Sequence, residues 1–380
     1  MDAVASISNA RRHRQPGVHP VVEMRRQARA ALSADLLRQI EPLLDDAERY
    51  PPDSGTCLHF IGKIHHKLNN PQLALRTYQD ALNAGMRSAA LFNDMGNVLA
   101  AMKQLPAAEL AYGVALKLRP DLVPLYGSLG NVLLAQGKRV ETIAIYEQCA
   151  AQNPDSALAR HMLAALRGFG GAERAPDDYV RETFDAFSAS FDEKLASLRY
   201  SAPEIVAGAI ARRLGDARDL NILDIGCGTG LCGAHMKPRA SRLVGIDLSA
   251  KMIEKASERA LYDELIVGEL TATLPGFDNA FDVIVAADVL VYFGALETLL
   301  SGVYGAGRGG ALFVFTVEAE MQEGVDYTLG TAGRYAHGSE YLHRVAKVVG
   351  FDVTSFDKCV LRYEYGEPVI GFVMSLTKTV

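Results

Sequence analysis

The chain has 380 residues, 49% of them hydrophobic and 22% charged, which is enough for two domains with proper cores and excludes a natively disordered chain. A formal net charge of −6 gives no electrostatic reason to expect nucleic acid as a partner, and no apolar run reaches membrane-spanning length, so no membrane partner is expected. The cysteines Cys57, Cys149, Cys227, Cys232 and Cys359 are scattered, without a CxxC pair or a cluster with histidines. That excludes a disulfide framework and a metal site and suits a reducing cytoplasm.

Residues 1–20 lack apolar periodicity and carry Arg11-Arg12-His13-Arg14, which reads as a flexible basic start. A start that contains arginine and is poor in acids is also compatible with a transit peptide. From 21 to 168 the chain repeats. Gly62, Gly96 and Gly130 are 34 residues apart, as are Tyr78, Tyr112 and Tyr146. Pro120 and Pro154 share the spacing, Pro52 lies two periods before Pro120, and Ala74/Ala108 and Ala81/Ala115 are in phase. The pattern predicts stacked helix pairs in which a small residue lets the two helices approach and proline ends the second one. These residues and this period resemble the tetratricopeptide repeat, with units at 55–88, 89–122 and 123–156, a worn unit at about 21–54 and a capping helix at 157–167. His59, Thr142 and Cys149 depart from that family's preferences. The resemblance implies a concave face that takes a peptide, protein or carrier-protein partner, or else an array that drives homodimerisation. Asn93, Asn97, Tyr126 and Asn131 are its candidate groove residues.

The segment Phe169-Gly170-Gly171-Ala172 through Pro176 breaks the composition and opens a linker and lid region, 169–204. Phe184, Phe187 and Phe191 follow helical spacing. Residues 205–380 then alternate apolar runs (220–225, 242–246, 264–267, 281–287, 311–317) with helical stretches, as in a doubly wound parallel sheet. Two strand-like runs, 351–361 and 369–376, are joined at Gly366-Glu367-Pro368 and predict a closing antiparallel hairpin.

The first of these strands runs into Asp224-Ile225-Gly226-Cys227-Gly228-Thr229-Gly230. Glycines at alternate positions allow a sharp turn and close approach of a ligand to bare backbone. A carboxylate beside them opposes a pyrophosphate and favours a ligand carrying ammonium and sulfonium groups. Gly228-Thr229-Gly230-Leu231-Cys232-Gly233 also spells GxGxxG, and Asp247 would serve NAD. Against that, Asp224 stands where pyrophosphate would lie, and in the proper frame the third glycine falls on Leu231.

The run resembles motif I of the class I S-adenosylmethionine-dependent methyltransferases, in particular bacterial ones with N-terminal repeats. The resemblance implies a repeat array followed by a Rossmann-like seven-stranded methyltransferase domain. It also implies S-adenosylmethionine as cofactor and S-adenosylhomocysteine as product. It further implies that Asp224 faces the methionine part, with Gly226, Cys227, Gly228 and Gly230 forming the loop. Asp247 would hold the ribose, Leu248 and Met252 flank the adenine, and Glu269 with Leu270 meet its amino edge. Asp288 would stand beside the methyl, and Tyr200, with Tyr179 and Phe191, would come from the lid. A small residue is what the loop needs at Cys227, so packing is expected there. For chemistry, His337 is the candidate base, since an unperturbed histidine titrates near neutrality, with Tyr292 and Asp288 alongside. Arg334, which can hold an anion bidentately, and Tyr335, Tyr341 and Glu318 are candidate substrate contacts. Three functions follow: a methyltransferase acting on a peptide, protein or carrier-bound acceptor recruited by the array; a small-molecule O-, N- or C-methyltransferase whose repeats dimerise; or a non-catalytic scaffold that binds the cofactor.

Overall fold

The computed structural model describes residues 19–168 and 173–379; the basic stretch Arg11–Arg14 and the start of the linker, Phe169–Ala172, lie outside them. Two compact units meet in sequence between Asn153 and Pro154.

The first unit is a run of eight helices among the described residues: α1 (Pro20–Ala31), α2 (Ala34–Glu48), α3 (Gly55–Lys67), α4 (Pro71–Asn83), α5 (Ala89–Ala101), α6 (Leu105–Leu118), α7 (Val123–Ala135) and α8 (Arg139–Gln152). The 34-residue period is a packing period. A Cβ on Gly62 would stand 2.2 Å from the Tyr78 ring, one on Gly96 2.7 Å from Tyr112 and one on Gly130 2.5 Å from the Tyr146 hydroxyl. In each pair, therefore, only hydrogen on the first helix leaves room for the tyrosine of the second. Capping follows the same period, since Ser54 accepts from the Cys57 N–H and Ser88 from the Leu91 N–H, each at 3.2 Å. Tyr126 is fully buried and its hydroxyl donates to the Pro120 carbonyl at 2.9 Å, so it belongs to the core of the array. Asn97 accepts from the Tyr112 hydroxyl at 2.7 Å, Asn93 lies beside Asp94, and Asn131 is exposed.

The second unit begins with α9 (Ala157–Arg167), whose Ala157 packs with Ala175, Tyr179 and Tyr335 of the same unit. Next come α10 (Asp177–Phe187), α11 (Phe191–Ser197) and α12 (Ala202–Leu214). The alternating part follows as β1 (Leu220–Ile225), α13 (Leu231–Met236), β2 (Ala240–Asp247), α14 (Ala250–Glu258), β3 (Glu264–Val267), α15 (Leu270–Thr273), β4 (Phe281–Ala286), α16 (Glu297–Ala306), β5 (Gly307–Glu320), β6 (Tyr327–Leu329), β7 (Tyr335–Gly338), α17 (Ser339–Val349), β8 (Phe351–Glu364) and β9 (Glu367–Lys378). Strands β3-β2-β1-β4-β5 are parallel; β9 pairs antiparallel with β5, and β8 with β9. This is the Rossmann-like methyltransferase sheet with its terminal hairpin, turned through Tyr365 and Gly366 at φ of 50° and 91°.

Period-2 alternation builds both faces. Ile222, Val283, Val285, Leu312 and Val314 point to the layer of α12 and α13, while Leu223, Ile284, Phe313, Phe315 and Val317 point to that of α16 and α17. The sheet has nine strands where seven were expected. The extra two are a ribbon, β6–β7, built from residues 327–338 between β5 and α17. At Glu318, β9 occupies one edge of β5 (opposite Gly371) and β7 the other (opposite Ala336). The edge taken by β7 is the one β4 uses farther back, so the ribbon continues the sheet past the carboxyl end of β4.

Candidate active site

Ligands in open parallel sheets bind at the carboxyl ends of the strands, and that is where the predicted residues converge. Gly226, Gly228 and Gly230 all have positive φ, at 66°, 54° and 88°. A Cβ on Gly226 would also stand 2.3 Å from Val289. Cys227 is buried, its N–H donates to the Ile246 carbonyl, and burial pushes its thiol up, so it packs the turn as a neutral group.

Asp224 is 1% exposed. Its Oδ2 accepts from the Tyr262 hydroxyl at 2.7 Å, and its Oδ1 has no hydrogen-bond partner among the described residues. Burial pushes this carboxyl up to about 7, opposed by the Tyr262 bond and reinforced by Asp247. A buried, half-satisfied carboxylate is costly unless a cation or donor completes it. Asp247 accepts from the Gly228 N–H through Oδ2 and from the Ser249 N–H through Oδ1, both at 2.9 Å, and so ties the glycine loop to the end of β2. Met252 is fully buried on α14 and Leu248 half-buried beside Asp247.

The lid helices reach these strand ends. Asp185 accepts from the Ser249 hydroxyl at 2.5 Å, Asp192 accepts from the Thr229 hydroxyl at 2.5 Å and pairs with Arg259, and Arg259 also donates to the Thr229 carbonyl. The Phe191 ring lies 3.8 Å from where a Cβ on Gly228 would be, and the Tyr200 hydroxyl donates to the Ala287 carbonyl at 3.4 Å. Tyr179, by contrast, stacks on His161 with centroids 4.1 Å apart.

Other predicted residues take different roles. Glu269 caps α15, accepting from the N–H groups of Thr271 and Ala272, and pairs with Arg174 at 2.7 Å; its carboxylate is engaged before any adenine arrives. Its neighbour Leu270 is buried in the core. Asp288, in the left-handed region at φ 60°, is held through both oxygens by Arg362, at 3.0 and 2.7 Å. Burial raises its pKa, and Arg362 works against that rise. Arg362 also bonds Glu318 and, at 2.8 Å, Glu364, while Arg334 reaches the same Glu318 and Glu364 oxygens at 2.6 and 2.7 Å. Arg334 is thus committed to two carboxylates of its own chain and is not a free anion clamp.

His337 is 0% exposed, with Nε2 3.2 Å from the Gly294 carbonyl oxygen and its ring against those of Tyr327 and Tyr341. Burial lowers its pKa to about 4, so at neutral pH it is an uncharged core group. The β7 strand turns inward because its alternate residues Tyr335 and His337 fill the ribbon's core face. Tyr341 is buried too, accepting from the Leu296 N–H and donating to Glu297. Tyr292, whose pKa burial raises, lies edge-on to Phe184 with centroids 5.4 Å apart.

Sequence reasoning missed Tyr262, Arg259, Asp185, Asp192, Arg174, Arg362 and Glu364. Only the last two left a signal: Arg362 and Glu364 are charges at i and i+2, on one face of a strand whose neighbour is apolar.

A family model described as "Methyltransferase domain" matches residues 222–309. The match runs from β1 to the start of β5 and so falls within the Rossmann-like sheet described above. The unpartnered Asp224 oxygen beside three positive-φ glycines fits a cationic amino-acid ligand. The chain is similar to the Yersinia pestis malonyl-[acyl-carrier protein] O-methyltransferase, 27% identical over 122 residues that cover 32% of this chain and 44% of that one. It is similar to the Bos taurus 18S rRNA (guanine-N(7))-methyltransferase, 38% identical over 61 residues, covering 16% and 22%. It is also similar to the Homo sapiens protein O-mannosyl-transferase TMTC2, 26% identical over 114 residues, covering 29% and 14%. The chain spans less than half the length of each of these curated relatives.

Proposed function

We propose that the protein is an S-adenosylmethionine-dependent methyltransferase that transfers a methyl group to a peptide, protein or carrier-bound acceptor, and that the helical array is a tetratricopeptide-repeat domain that recruits it. The single observation that carries the methyltransferase reading is Asp224, buried at the glycine loop with one oxygen unclaimed. When bound, the cofactor supplies a methyl group on a sulfonium, already a good leaving group. The chain's own task is then mostly placement. Asp224 meets the cationic end of the ligand. Asp247 orients the loop, and the Asp185 and Asp192 ties bring the lid helices over it and keep water out. None of His337, Asp288 and Tyr292 is a free base: the first is buried and neutral, the second paired with Arg362, the third a phenol whose pKa burial raises. That favours an acceptor that reacts without losing a proton to a protein group first.

Two of the relatives bear names that refer to protein-borne chemistry, an acyl-carrier protein and a protein O-transferase, and the net charge of −6 argues against the RNA named for the third. The test is incubation of the full chain with methyl-labelled cofactor and a native cell extract, followed by mass spectrometry. Label in a macromolecular or carrier-bound product supports the reading. Label confined to free small molecules supports the second one, a small-molecule enzyme whose array dimerises. One observation favours that alternative: Leu110, Val114 and Leu118 form an exposed apolar stripe along α6. Sedimentation of Leu110→Lys against wild type tests it, and a monomeric wild type removes it.

A further inference from the structure

Asp224 is gripped from one side only. Tyr262, which follows α14, donates its hydroxyl to Oδ2, and Oδ1 is left bare. The fold makes a slot for this one ring. A Cβ on Gly233 would stand 2.3 Å from the Tyr262 hydroxyl, one on Gly245 3.0 Å from its ring and one on Gly230 3.1 Å from it. Three glycines from the loop, α13 and β2 thus make room for the phenol. The third glycine of the GxGxxG spelling, Gly233, makes room for a tyrosine and not for a pyrophosphate.

We propose that Tyr262 is a positioning residue of the cofactor site, which fixes the Asp224 carboxylate through Oδ2 and so presents Oδ1 to the cationic end of the ligand. This rests on the reading of the site as an S-adenosylmethionine site. Tyr262 acts through Asp224. Its hydroxyl donates to a charged oxygen, a bond stronger than one to a neutral carboxyl, and so it favours the ionised form that a cation requires. The titratable groups facing Asp224 are Tyr262, Asp247, Tyr200, Cys227 and Cys232, and none of them is a cation. With no positive neighbour, the Tyr262 hydroxyl is the group that offsets burial.

The experiment is titration calorimetry of the full chain with S-adenosylmethionine between about pH 6 and pH 8.5, with wild type, Tyr262→Phe and Asp224→Asn, each checked by thermal melting. Wild-type affinity is expected to rise as pH passes about 7 and then level off. Tyr262→Phe shifts that midpoint upward by about one unit, leaving binding about tenfold weaker at the acid end and nearly equal at the alkaline end. Asp224→Asn binds weakly throughout and has no midpoint. An unmoved midpoint in Tyr262→Phe, whether affinity is unchanged or falls equally at every pH, overturns the proposal, since a merely structural tyrosine would do that. Should Tyr262→Phe fail to fold, Gly233→Ala, whose added carbon would stand 2.3 Å from the Tyr262 hydroxyl and so displaces it, is titrated in its place: the same upward shift supports the proposal, and an unmoved midpoint overturns it. A folded wild type that binds no S-adenosylmethionine at any pH is a different failure, that of the cofactor reading itself.

Discussion

Arg362, from the end of β8, holds both carboxylate oxygens of Asp288, which follows β4, 74 residues earlier in the chain. Its side chain is 4% exposed, and it serves three carboxylates at once. Removing one partner of a buried ion network leaves the others uncompensated. Arg362→Met should therefore lower stability by about 3–5 kcal/mol in denaturant unfolding. A loss below about 1 kcal/mol would mean that water reaches the carboxylates freely.

The array predicts opposite signs for two glycines in adjacent helices. Gly96→Ala drives a methyl into the Tyr112 ring and should cost about 1–3 kcal/mol. Gly113→Ala, also within a helix but with nothing within 4 Å of the added carbon, should gain about 0.5–1 kcal/mol through helix propensity. Melting curves of the two variants check the pair; equal shifts would refute packing as the reason for the period.

Asp224 makes the cofactor-free protein less stable as pH rises. Its folded pKa of about 7 lies above the ordinary value of 3.8, so between these values the folded state binds the extra proton. Stability from this group is present at low pH and lost as pH rises through about 7. Asp224→Asn should then melt higher than wild type at pH 8 without cofactor, by about 1–3 kcal/mol, while binding cofactor worse. A variant that melts lower at pH 8 contradicts the raised value.

His337 has the opposite sign. Buried and neutral, with a pKa lowered to about 4 from 6.5, it leaves the unfolded chain binding more protons in that window. Its contribution is whole above 6.5 and declines as pH falls toward 4. His337→Gln should flatten the acid limb of the stability profile and leave no mark on a turnover-versus-pH curve above pH 6.5. A turnover limb that vanishes with the histidine would restore it as a base.

Asp192 ties α11 to the loop through Thr229 and Arg259. Asp192→Asn removes the ion pair and keeps the shape. Stopped-flow measurement of S-adenosylhomocysteine release should show a rate about 3–10-fold faster, equivalent to about 1 kcal/mol. An unchanged rate would detach the lid from ligand exchange.

The parts of the fold governed by local period were legible: alternation placed the five parallel strands, and the 34-residue spacing placed the helix pairs. The loop and Asp247 were legible because glycine and acid at strand ends have few other uses. Glu269 misled because a cap and an adenine contact ask for the same residue type; the Thr271 N–H that it accepts was invisible until α15 had formed. His337 and Arg334 misled because their partners, the Gly294 carbonyl and Glu364, are distant in sequence and are brought near by the β6–β7 ribbon and the terminal hairpin. Tyr126 misled because a groove tyrosine and a core tyrosine look alike until the Pro120 carbonyl claims the hydroxyl.

The five charges of the Arg362 cluster come from four separate stretches of chain, and single Glu318 and Glu364 oxygens are each shared by two arginines. Such a knot cannot be retuned one residue at a time. Any redesign of this cluster has to replace Asp288, Glu318, Arg334, Arg362 and Glu364 together, because each single change strands a buried charge.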